Sequence, residues 1–365
     1  MAVRFPFART RWLPRPALSV LAAALLAACG GGGEEEPSPT PDLPWEPGSW
    51  PAYQAPDAKQ ADLGKLLFYD PLLGADGTTA CATCHSEHWG MSDGLAVSVG
   101  LDGVGAVGPG RVGPNLTRRN SMTLWNVAFR ERLFWDGRAE TLEAQVASPL
   151  TAAEELGSSE AAVVAALGAN AEYTSLFAEA FPGEPLSFTQ VEQALAAFQR
   201  VLVSDWAPYD RYVKGDLGAL SAQSQRGMRA FADHGCATCH VPPRFELELY
   251  ASRGQANADG VDDAGRFEVT GNEADKGAFR VPTLRNLRDS EPYFHAGTAP
   301  TVEDAVRAEL AVSDGTSLAE VPQDVVDDIT HFLVKGLTDR TREQARPARV
   351  PSGLEVPLDN FRIPR

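Results

Sequence analysis

Apolar residues recur at helical spacing in several stretches of the chain, and no stretch alternates between apolar and polar residues for long enough to predict a strand. In the longest helical stretch, Thr189 and Glu192 have the spacing of a capping box at its start. Gly235 and Gly336 each follow a helical stretch and are predicted to end it. The predicted helices are Ala61–Tyr69, Ser187–Val203, Ser221–Asp233 and Asp324–Lys335.

The pattern of helix and short motif occurs twice along the chain. A helix precedes Cys81-Ala82-Thr83-Cys84-His85, and another precedes the identical pentapeptide Cys236-Ala237-Thr238-Cys239-His240. The long helix gives way near Val203–Tyr212, where we expect a domain boundary, and the glycine-rich run Gly100–Pro114 is predicted to be a long functional loop. The sequence therefore predicts an all-α chain with two tandem cytochrome c-type domains.

Each pentapeptide has the Cys-x-x-Cys-His pattern that attaches c-type haem. Two thiols on one short turn can bond to the two vinyl groups of a porphyrin, and the histidine that follows can ligate the iron. A disulfide, a thioredoxin-like redox pair or a four-cysteine zinc site would use the cysteines but leave both histidines unexplained. We therefore predict two covalent haem c groups, one held by Cys81, Cys84 and His85 and the other by Cys236, Cys239 and His240.

The amino-terminal residues have the pattern of a bacterial export signal. Four arginines precede an apolar stretch that is short for a membrane span, and it ends in Leu26-Ala27-Ala28-Cys29-Gly30, which resembles a lipobox. The alternative is an ordinary signal peptide in which Cys29 is incidental. The glycines, acids and prolines that follow are typical of a flexible tether. We expect lipidation at Cys29 and a periplasmic protein of a Gram-negative-type bacterium, held on the membrane only by its lipid anchor.

Composition and charge limit the class of partner. The chain has 365 residues, of which 44% are hydrophobic and 22% charged, and this excludes wholesale disorder and a multi-span membrane protein. Its 49 acidic and 32 basic residues give a formal charge of −17. Such a surface repels phosphate backbones, so nucleic acid is excluded as a partner, whereas a basic protein is compatible with it.

The histidine count bears on whether either iron has an open side. Beyond the two motif histidines the chain has only four, and His88 is too close in sequence to His85 to reach the opposite face of the same iron. Met91 and Met122 are the methionines of the first predicted haem domain, and core packing is the commoner role for methionine. The first haem is therefore predicted to lack a sixth protein ligand, which would leave room for peroxide or oxygen.

Several further motifs resemble the bacterial dihaem cytochrome c peroxidases and their relatives that oxidise protein side chains. The resemblance covers nearly all of Ala58 to Asp339. It is carried by residues 63–68 (Leu-Gly-Lys-Leu-Leu-Phe), Arg119-Asn120, residues 134–138 (Phe-Trp-Asp-Gly-Arg), Glu155, residues 279–286 (Phe-Arg-Val-Pro-Thr-Leu-Arg-Asn) and residues 292–295 (Pro-Tyr-Phe-His), together with both haem motifs.

The resemblance implies roles for residues outside the haem motifs. Glu155 matches the carboxylate over the first, peroxidatic haem, which can move a proton between the peroxide oxygens; without the resemblance it would be interpreted as a solvated acid. Trp135 matches a tryptophan between the haems. Asn120, with the main-chain oxygens of Ser290 and Pro292, matches a calcium site with the oxygen ligands that this ion prefers.

The sequence departs from the family pattern at two positions. Members that need prior reduction carry a blocking histidine where this chain has Val112, so the resemblance implies a first site that is open in the oxidised protein. The distal ligand of the second haem is methionine in the peroxidases and tyrosine in the side-chain-oxidising relatives, but the residue here is Glu309. Either Glu309 ligates the second iron, or it lies on a helix surface and the iron is five-coordinate or takes Met228 or His295.

The function that these features imply is reduction of hydrogen peroxide to water with electrons from a small donor, such as a basic cytochrome c. The alternatives are an enzyme that oxidises Trp or Tyr of a partner protein, and a dihaem electron carrier without enzyme activity; a homodimer is left open. The expected organisation is a signal peptide at 1–28, a lipidated tether at 29–50, a peroxidatic haem domain at 51–203, an electron-transfer haem domain at 204–345 and a tail at 346–365.

Overall fold

A computed structural model of the chain describes residues 40–254, 262–342 and 344–359. The predicted signal peptide, Cys29 and the tether up to residue 39 lie outside the described residues. Within those ranges the regular secondary structure is helical apart from one short antiparallel pair of strands, in which Tyr250 is paired with Arg280. No helix in the described part is long and apolar enough to span a membrane.

Eleven α-helices and two strands are found in the described ranges. The helices are α1 Ala58–Tyr69, α2 Cys81–Cys84, α3 Leu142–Thr151, α4 Glu160–Gly168, α5 Ala171–Ala180, α6 Phe188–Arg200, α7 Pro208–Val213, α8 Ala222–Asp233, α9 Phe267–Thr270, α10 Val302–Asp314 and α11 Gln323–His331. The strands are β1 Tyr250–Ala251 and β2 Phe279–Arg280.

The helix starts follow the capping groups that the chain supplies. Helix α1 begins earlier than predicted because Asp57 Oδ1 accepts hydrogen bonds from two backbone N–H groups of the first turn. The predicted capping box of Thr189 and Glu192 is wrong. Helix α6 instead begins after Ser187, whose backbone N–H donates to Gln190 Oε1 at 3.1 Å, so the box lies two residues earlier.

The helix ends also differ from the sequence prediction at two places, and the first is α6, which ends at Arg200 rather than Val203. Helix α8 ends as predicted, and Gly235 follows it in the left-handed conformation with φ of 73°. The last predicted helix is confirmed as α11, but its final turn widens into a π-helical segment, Phe332–Gly336. Helices α3, α4, α5, α7, α9 and α10 were not predicted.

The apolar residues form two large clusters that follow the order of the chain. The first contains α1, α6 and the helices between them, and its fully buried members include Leu67 and Val191. The second contains α7, α8, α10 and α11, with Met228 and Phe332 at its centre. Each cluster is adjacent to one Cys-x-x-Cys-His motif.

Each cluster is built around two helices that approach closely at a glycine. At Gly64 in α1, an added Cβ would overlap the Ala194 carbonyl oxygen of α6. At Gly227 in α8, an added Cβ would overlap the Asp328 carbonyl oxygen of α11. The same contact therefore recurs in the helix that precedes each haem motif, because only glycine lets the two backbones come so near.

The segments at both ends of the described chain pack onto these clusters. The last residues of the predicted tether are not free, since Leu43 and Trp45 pack on the second cluster and Trp45 Nε1 donates to Tyr209 OH at 2.9 Å. The carboxyl-terminal segment returns to the first cluster, where Val350 is fully buried. Val107 N in the long loop donates to Leu358 O at 2.8 Å, so the same segment also holds that loop.

Candidate functional site

The first Cys-x-x-Cys-His motif forms a single helical turn that ends at the histidine. Helix α2 spans Cys81 to Cys84, and His85 Nδ1 lies 2.9 Å from Met91 O. That hydrogen bond assigns the proton to Nδ1, which leaves the lone pair on Nε2. Burial lowers the pKa of His85, so the ring stays neutral, the form that ligates a metal.

The second motif has the same arrangement on a 3₁₀ turn, Cys236–Thr238. His240 Nδ1 lies 3.2 Å from Phe245 O and 3.1 Å from Pro282 O, and burial lowers its pKa as well. Both histidines are therefore held neutral, with Nε2 available for a metal. The four motif cysteines are free thiols in the structure.

Each motif lines its own cavity. The first cavity, of about 380 Å³, is lined by Cys81, Cys84 and His85, and the second, of about 950 Å³, by Cys236, Cys239 and His240. These volumes are in the range of cofactor sites, roughly 300–1,000 Å³. The residues that line both cavities are Asn120, Ser121, Met122 and Trp135, so the two cavities meet at this segment.

These geometries discriminate between the possible uses of the cysteines. The described residues contain one group of His, Cys, Asp or Glu side chains close enough to share a metal ion, and it consists of Glu87, His88 and Asp359. Arg346 forms ion pairs with the two carboxylates of that group, those of Glu87 and Asp359. The four cysteines do not converge on one point, which excludes a four-cysteine zinc site among them. Thiols, a neutral histidine and a cavity beside each motif fit covalent haem.

Glu155 lies in the turn that follows α3, and it lines the first cavity with the cysteines of the first motif. Its carboxyl group is largely buried, and burial raises the pKa to about 7, with a further rise from neighbouring Glu154 and an opposing effect of Arg138. The turn is packed against the long loop, because a Cβ at Gly100 would overlap the backbone of Glu154. A carboxyl group that titrates near neutral pH can both accept and return a proton.

Trp135 lies at the meeting point of the two cavities and is buried. Its Nε1 donates to Asn120 O at 2.9 Å, and its ring contacts the ring of His295 edge to face, at a centroid distance of 6.5 Å. Its carbonyl oxygen accepts from Arg280 N at 2.8 Å. Two contacts therefore orient the indole, and a third holds the backbone of Trp135.

Val112, Met91 and Met122 bear on access to the first cavity. Val112 is 60% exposed and forms a backbone bridge with Val104, and it is not among the described residues that line that cavity. Met91 is fully buried in the first cluster. Met122 lines the cavity, and its main-chain oxygen, like that of Met91, approaches His85.

The candidates for the distal position of the second cavity differ in location. Glu309 on α10 lines this cavity, and Glu309 Oε2 accepts from Arg253 Nε at 2.8 Å. His295 also lines it, with its ring stacked on Phe279 at a centroid distance of 3.7 Å. Met228 is fully buried in the second cluster and is not one of the described residues that line the cavity.

The three predicted calcium ligands are all among the residues that line the second cavity. Asn120, Ser290 and Pro292 all line it, and the Asn120 side chain is oriented by donation from Nδ2 to Leu95 O at 2.8 Å. Asn120 N donates to His295 O at 2.7 Å, which joins this segment to the second half of the chain. A bound ion stays a prediction.

Some cavity residues were not identified from the sequence. Gln145 and Pro149 lie four residues apart on α3, hence on one face, and both line the first cavity with Glu155. Helix α3 was missed because Pro149 lies inside it and proline normally ends a helix. The signal that could have found it is Thr141, which caps the helix by accepting from Ala144 N at 3.1 Å.

The helical fold, with a Cys-x-x-Cys-His motif beside each of two cavities, fits the class of c-type haem proteins. A family model described as di-haem cytochrome c peroxidase matches residues 58–218. The chain belongs to the family of dihaem cytochrome c peroxidases, which also includes the related enzyme MauG. It is accordingly an oxidoreductase that acts on peroxide, and the family has two haem c groups.

Relatives of both kinds are similar to this chain. Cytochrome c551 peroxidase of Pseudomonas aeruginosa is 37% identical over 282 residues, which are 75% of this chain and 78% of the relative. Methylamine utilization protein MauG of Methylorubrum extorquens is 40% identical over 243 residues, 66% of this chain and 65% of the relative. A MauG-like protein associated with microbial copper homeostasis has a similar structure, with a TM-score of 0.65 at 28% identity, covering 86% of this chain and 97% of that one.

Proposed function

We propose that this chain is a periplasmic peroxidase that reduces hydrogen peroxide to water with electrons from a small donor such as cytochrome c. The reaction consumes one peroxide, two electrons and two protons and forms two waters. The observation that carries the proposal is the first cavity, which combines a haem attachment motif with a buried carboxyl group of pKa about 7, that of Glu155.

In this proposal each half of the chain holds one haem. The first domain, 51–203, binds it through Cys81, Cys84 and His85, and the second, 204–345, through Cys236, Cys239 and His240. When bound, the first haem would supply the electrons that break the O–O bond, and the second haem would receive electrons from the donor. The two apolar clusters, one beside each motif, support this division.

The protein side chains move protons and hold the reacting groups in place. The Glu155 carboxylate accepts a proton from one oxygen of hydrogen peroxide and returns it to the other oxygen, which leaves as water. His85 and His240 act through Nε2, because a main-chain carbonyl oxygen holds the proton of each on Nδ1. Trp135 is the proposed relay between the sites, since it is buried and lines both cavities.

The first site is proposed to be open in the oxidised protein. Exposed Val112 takes the position where a blocking histidine would lie, and Met91 is fully buried in the first cluster and is not among the described residues that line the cavity. At the second site we keep Glu309 as the candidate distal ligand, and it must then exchange its ion pair with Arg253 for the metal. Calcium at Asn120, Ser290 and Pro292 is proposed because all three line the second cavity and can offer oxygen ligands.

Two measurements test the main proposal. The wild-type protein should carry two covalent haems by pyridine haemochrome assay, and the double variant Cys81→Ala/Cys84→Ala should carry one. The wild type should then sustain peroxide turnover with reduced cytochrome c, whereas the double variant should have none and still accept electrons. Two haems without turnover would leave the electron-carrier alternative, and fewer than two in the wild type would exclude a dihaem enzyme.

The similarity to MauG supports a second candidate function, the oxidation of Trp or Tyr on a partner protein. The two functions differ in where the oxidising equivalents go. Rapid peroxide turnover with a reduced small donor favours the peroxidase. Slow turnover, together with crosslinking or hydroxylation of an added protein detected by mass spectrometry, would favour the alternative.

We propose a membrane-anchored lipoprotein on the basis of the lipobox-like sequence at Cys29. Cys29→Ser should release the protein from membranes in soluble form while both haems remain, because the anchoring acyl chains are attached only through that residue. Cell fractionation with haem staining measures both. Wild-type protein that is already soluble in the periplasm would show Cys29 to be incidental.

A further inference from the structure

Two buried arginines near the meeting point of the cavities each have a side-chain nitrogen that the protein does not satisfy. Arg130 follows a 3₁₀ turn at residues 127–129, and Arg280 lies on β2. Their side chains are 3% and 1% exposed. Arg130 Nη2 and Arg280 Nε have no hydrogen-bond partner among the residues that the structure describes.

The other nitrogens of Arg130 and Arg280 are bonded, so each guanidinium is held in one orientation. Arg130 Nε donates to Glu246 Oε2 at 3.3 Å and Nη1 to Thr123 O at 3.4 Å. Arg280 donates through Nη1 to the Arg132 carbonyl oxygen and through Nη2 to Glu248. An unsatisfied N–H on a buried cation is costly, and buried polar groups normally have a partner.

The two arginines face different cavities. Arg130 lines the first cavity, with Cys81 and Cys84, and Arg280 lines the second, with Cys236 and Cys239. Burial lowers the pKa of Arg130, and the nearby positive charge of Arg280 lowers it further, against the opposing effect of Glu246. An additional anion on the cavity side would therefore stabilise the buried positive charges of Arg130 and Arg280.

We propose that Arg130 and Arg280 bind haem propionates: Arg130 Nη2 donates to a propionate of the first haem, and Arg280 Nε to a propionate of the second. This inference rests on the proposed function, because it requires both haems. A propionate is a carboxylate on a short flexible chain, and guanidinium groups form strong charge-assisted hydrogen bonds with carboxylates. Each haem would then be anchored at three kinds of group: thioethers, a histidine and an arginine.

The assignment has an electrostatic consequence for each haem. A fixed positive charge in a buried site favours the reduced iron, which carries one positive charge less than the oxidised iron, and so raises the reduction potential. Because each arginine lines one cavity, loss of one charge should act mainly on one haem.

Charge-removing and charge-keeping variants test this consequence in the full-length, haem-loaded protein. Arg280→Gln should lower the midpoint potential of the second haem more than that of the first, and Arg130→Gln should do the reverse, in spectroelectrochemical titrations. Arg130→Lys and Arg280→Lys should shift the potentials less. Equal shifts of both haems, or no shift, would overturn the assignment.

Arg285→Gln provides a matched control, because it removes a buried positive charge as Arg280→Gln does. Arg285 is fully buried like the other two, but Asp210 and Pro243 O accept its hydrogen bonds, and it is not among the described residues that line either cavity. This variant should reduce thermal stability and leave both potentials unchanged. A change in potential as large as that of Arg280→Gln would mean that any buried arginine has this effect, and would overturn the assignment.

A crystal structure of the haem-loaded wild type decides the matter if the variants do not accumulate. We expect a propionate oxygen within about 3.2 Å of Arg130 Nη2 and another within that distance of Arg280 Nε. Propionates directed to solvent, or water alone at both nitrogens, would refute this inference while two covalent haems leave the proposed function intact. Fewer than two covalent haems would refute the proposed function itself.

Discussion

Glu155 illustrates how burial turns an ordinary surface acid into a group that can serve at neutral pH. The residue follows Glu154 in a turn, yet its carboxyl group lines the first cavity and its pKa is raised to about 7. For an acid, a raised pKa means that the ionised form, which accepts a proton from peroxide, is populated only as the pH rises through 7. The reaction with peroxide should therefore accelerate with pH across that range.

Glu155→Gln should slow the first reaction of the all-ferric protein with peroxide by about 10²- to 10⁴-fold, because the proton carrier is lost. Both haems should remain attached. Stopped-flow mixing of all-ferric protein with peroxide measures the rate, and the pH dependence centred near 7 should disappear in the variant.

Glu154→Gln is the control for this experiment. Removal of its negative charge lowers the pKa of Glu155, so the rate profile should shift to lower pH without loss of the maximal rate. Two outcomes would contradict these predictions: a Glu155→Gln variant as fast as the wild type, and wild-type protein that reacts only after a reductant is added. The second would mean that some ligand closes the first site.

Among the secondary structure elements, the two close helix crossings should be sensitive to any side chain larger than that of glycine. Gly64→Ala should destabilise the protein by about 1–3 kcal/mol, because the added methyl group overlaps a carbonyl oxygen of α6 and the helices must separate. Thermal unfolding followed by far-UV circular dichroism measures the effect. Gly227→Ala should have a similar cost at the α8–α11 crossing.

Gly168→Ala is the matched control, since the added Cβ would be in ordinary contact, 3.7 Å from Leu186 Cδ2. It should leave stability unchanged or raise it by about 0.5–1 kcal/mol, because alanine restricts the unfolded chain more than glycine does. If Gly64→Ala is as stable as Gly168→Ala, the crossing has more room than the structure indicates.

The sequence predicted the elements whose signals are local. Helices α1, α6, α8 and α11 were predicted because each has an apolar stripe, and the haem motifs because their spacing is itself the chemistry. Helix α3 was missed, as Pro149 masks a helix that packing maintains. The capping box at Thr189 was misplaced because Ser187 and Gln190 offer the same pattern two residues earlier. Neither Gln145 nor the buried arginines could be identified, since their positions depend on contacts distant in sequence.

For the whole molecule, net charge determines which donors approach fastest. The formal charge of −17 should attract a basic donor, so kcat/KM for a basic cytochrome c should fall steeply with rising ionic strength. An acidic donor should show the opposite trend. Steady-state assays in increasing salt measure both, and the rate of the peroxide step alone serves as the control. A basic donor whose kcat/KM is independent of salt would show that net charge does not guide association.

The return of the carboxyl-terminal segment to the first apolar cluster has a consequence for the order of events during biosynthesis. Val350 is fully buried among residues that are synthesised more than a hundred positions earlier, and Asn170 Nδ2 donates to Pro351 O at 3.0 Å. If the chain is exported from its amino terminus, as proposed, this part of its first core crosses the membrane only after residues 204–345. Until then the first apolar cluster lacks Val350. An enzyme that attaches haem to nascent chains would therefore meet the first motif in an incompletely packed domain.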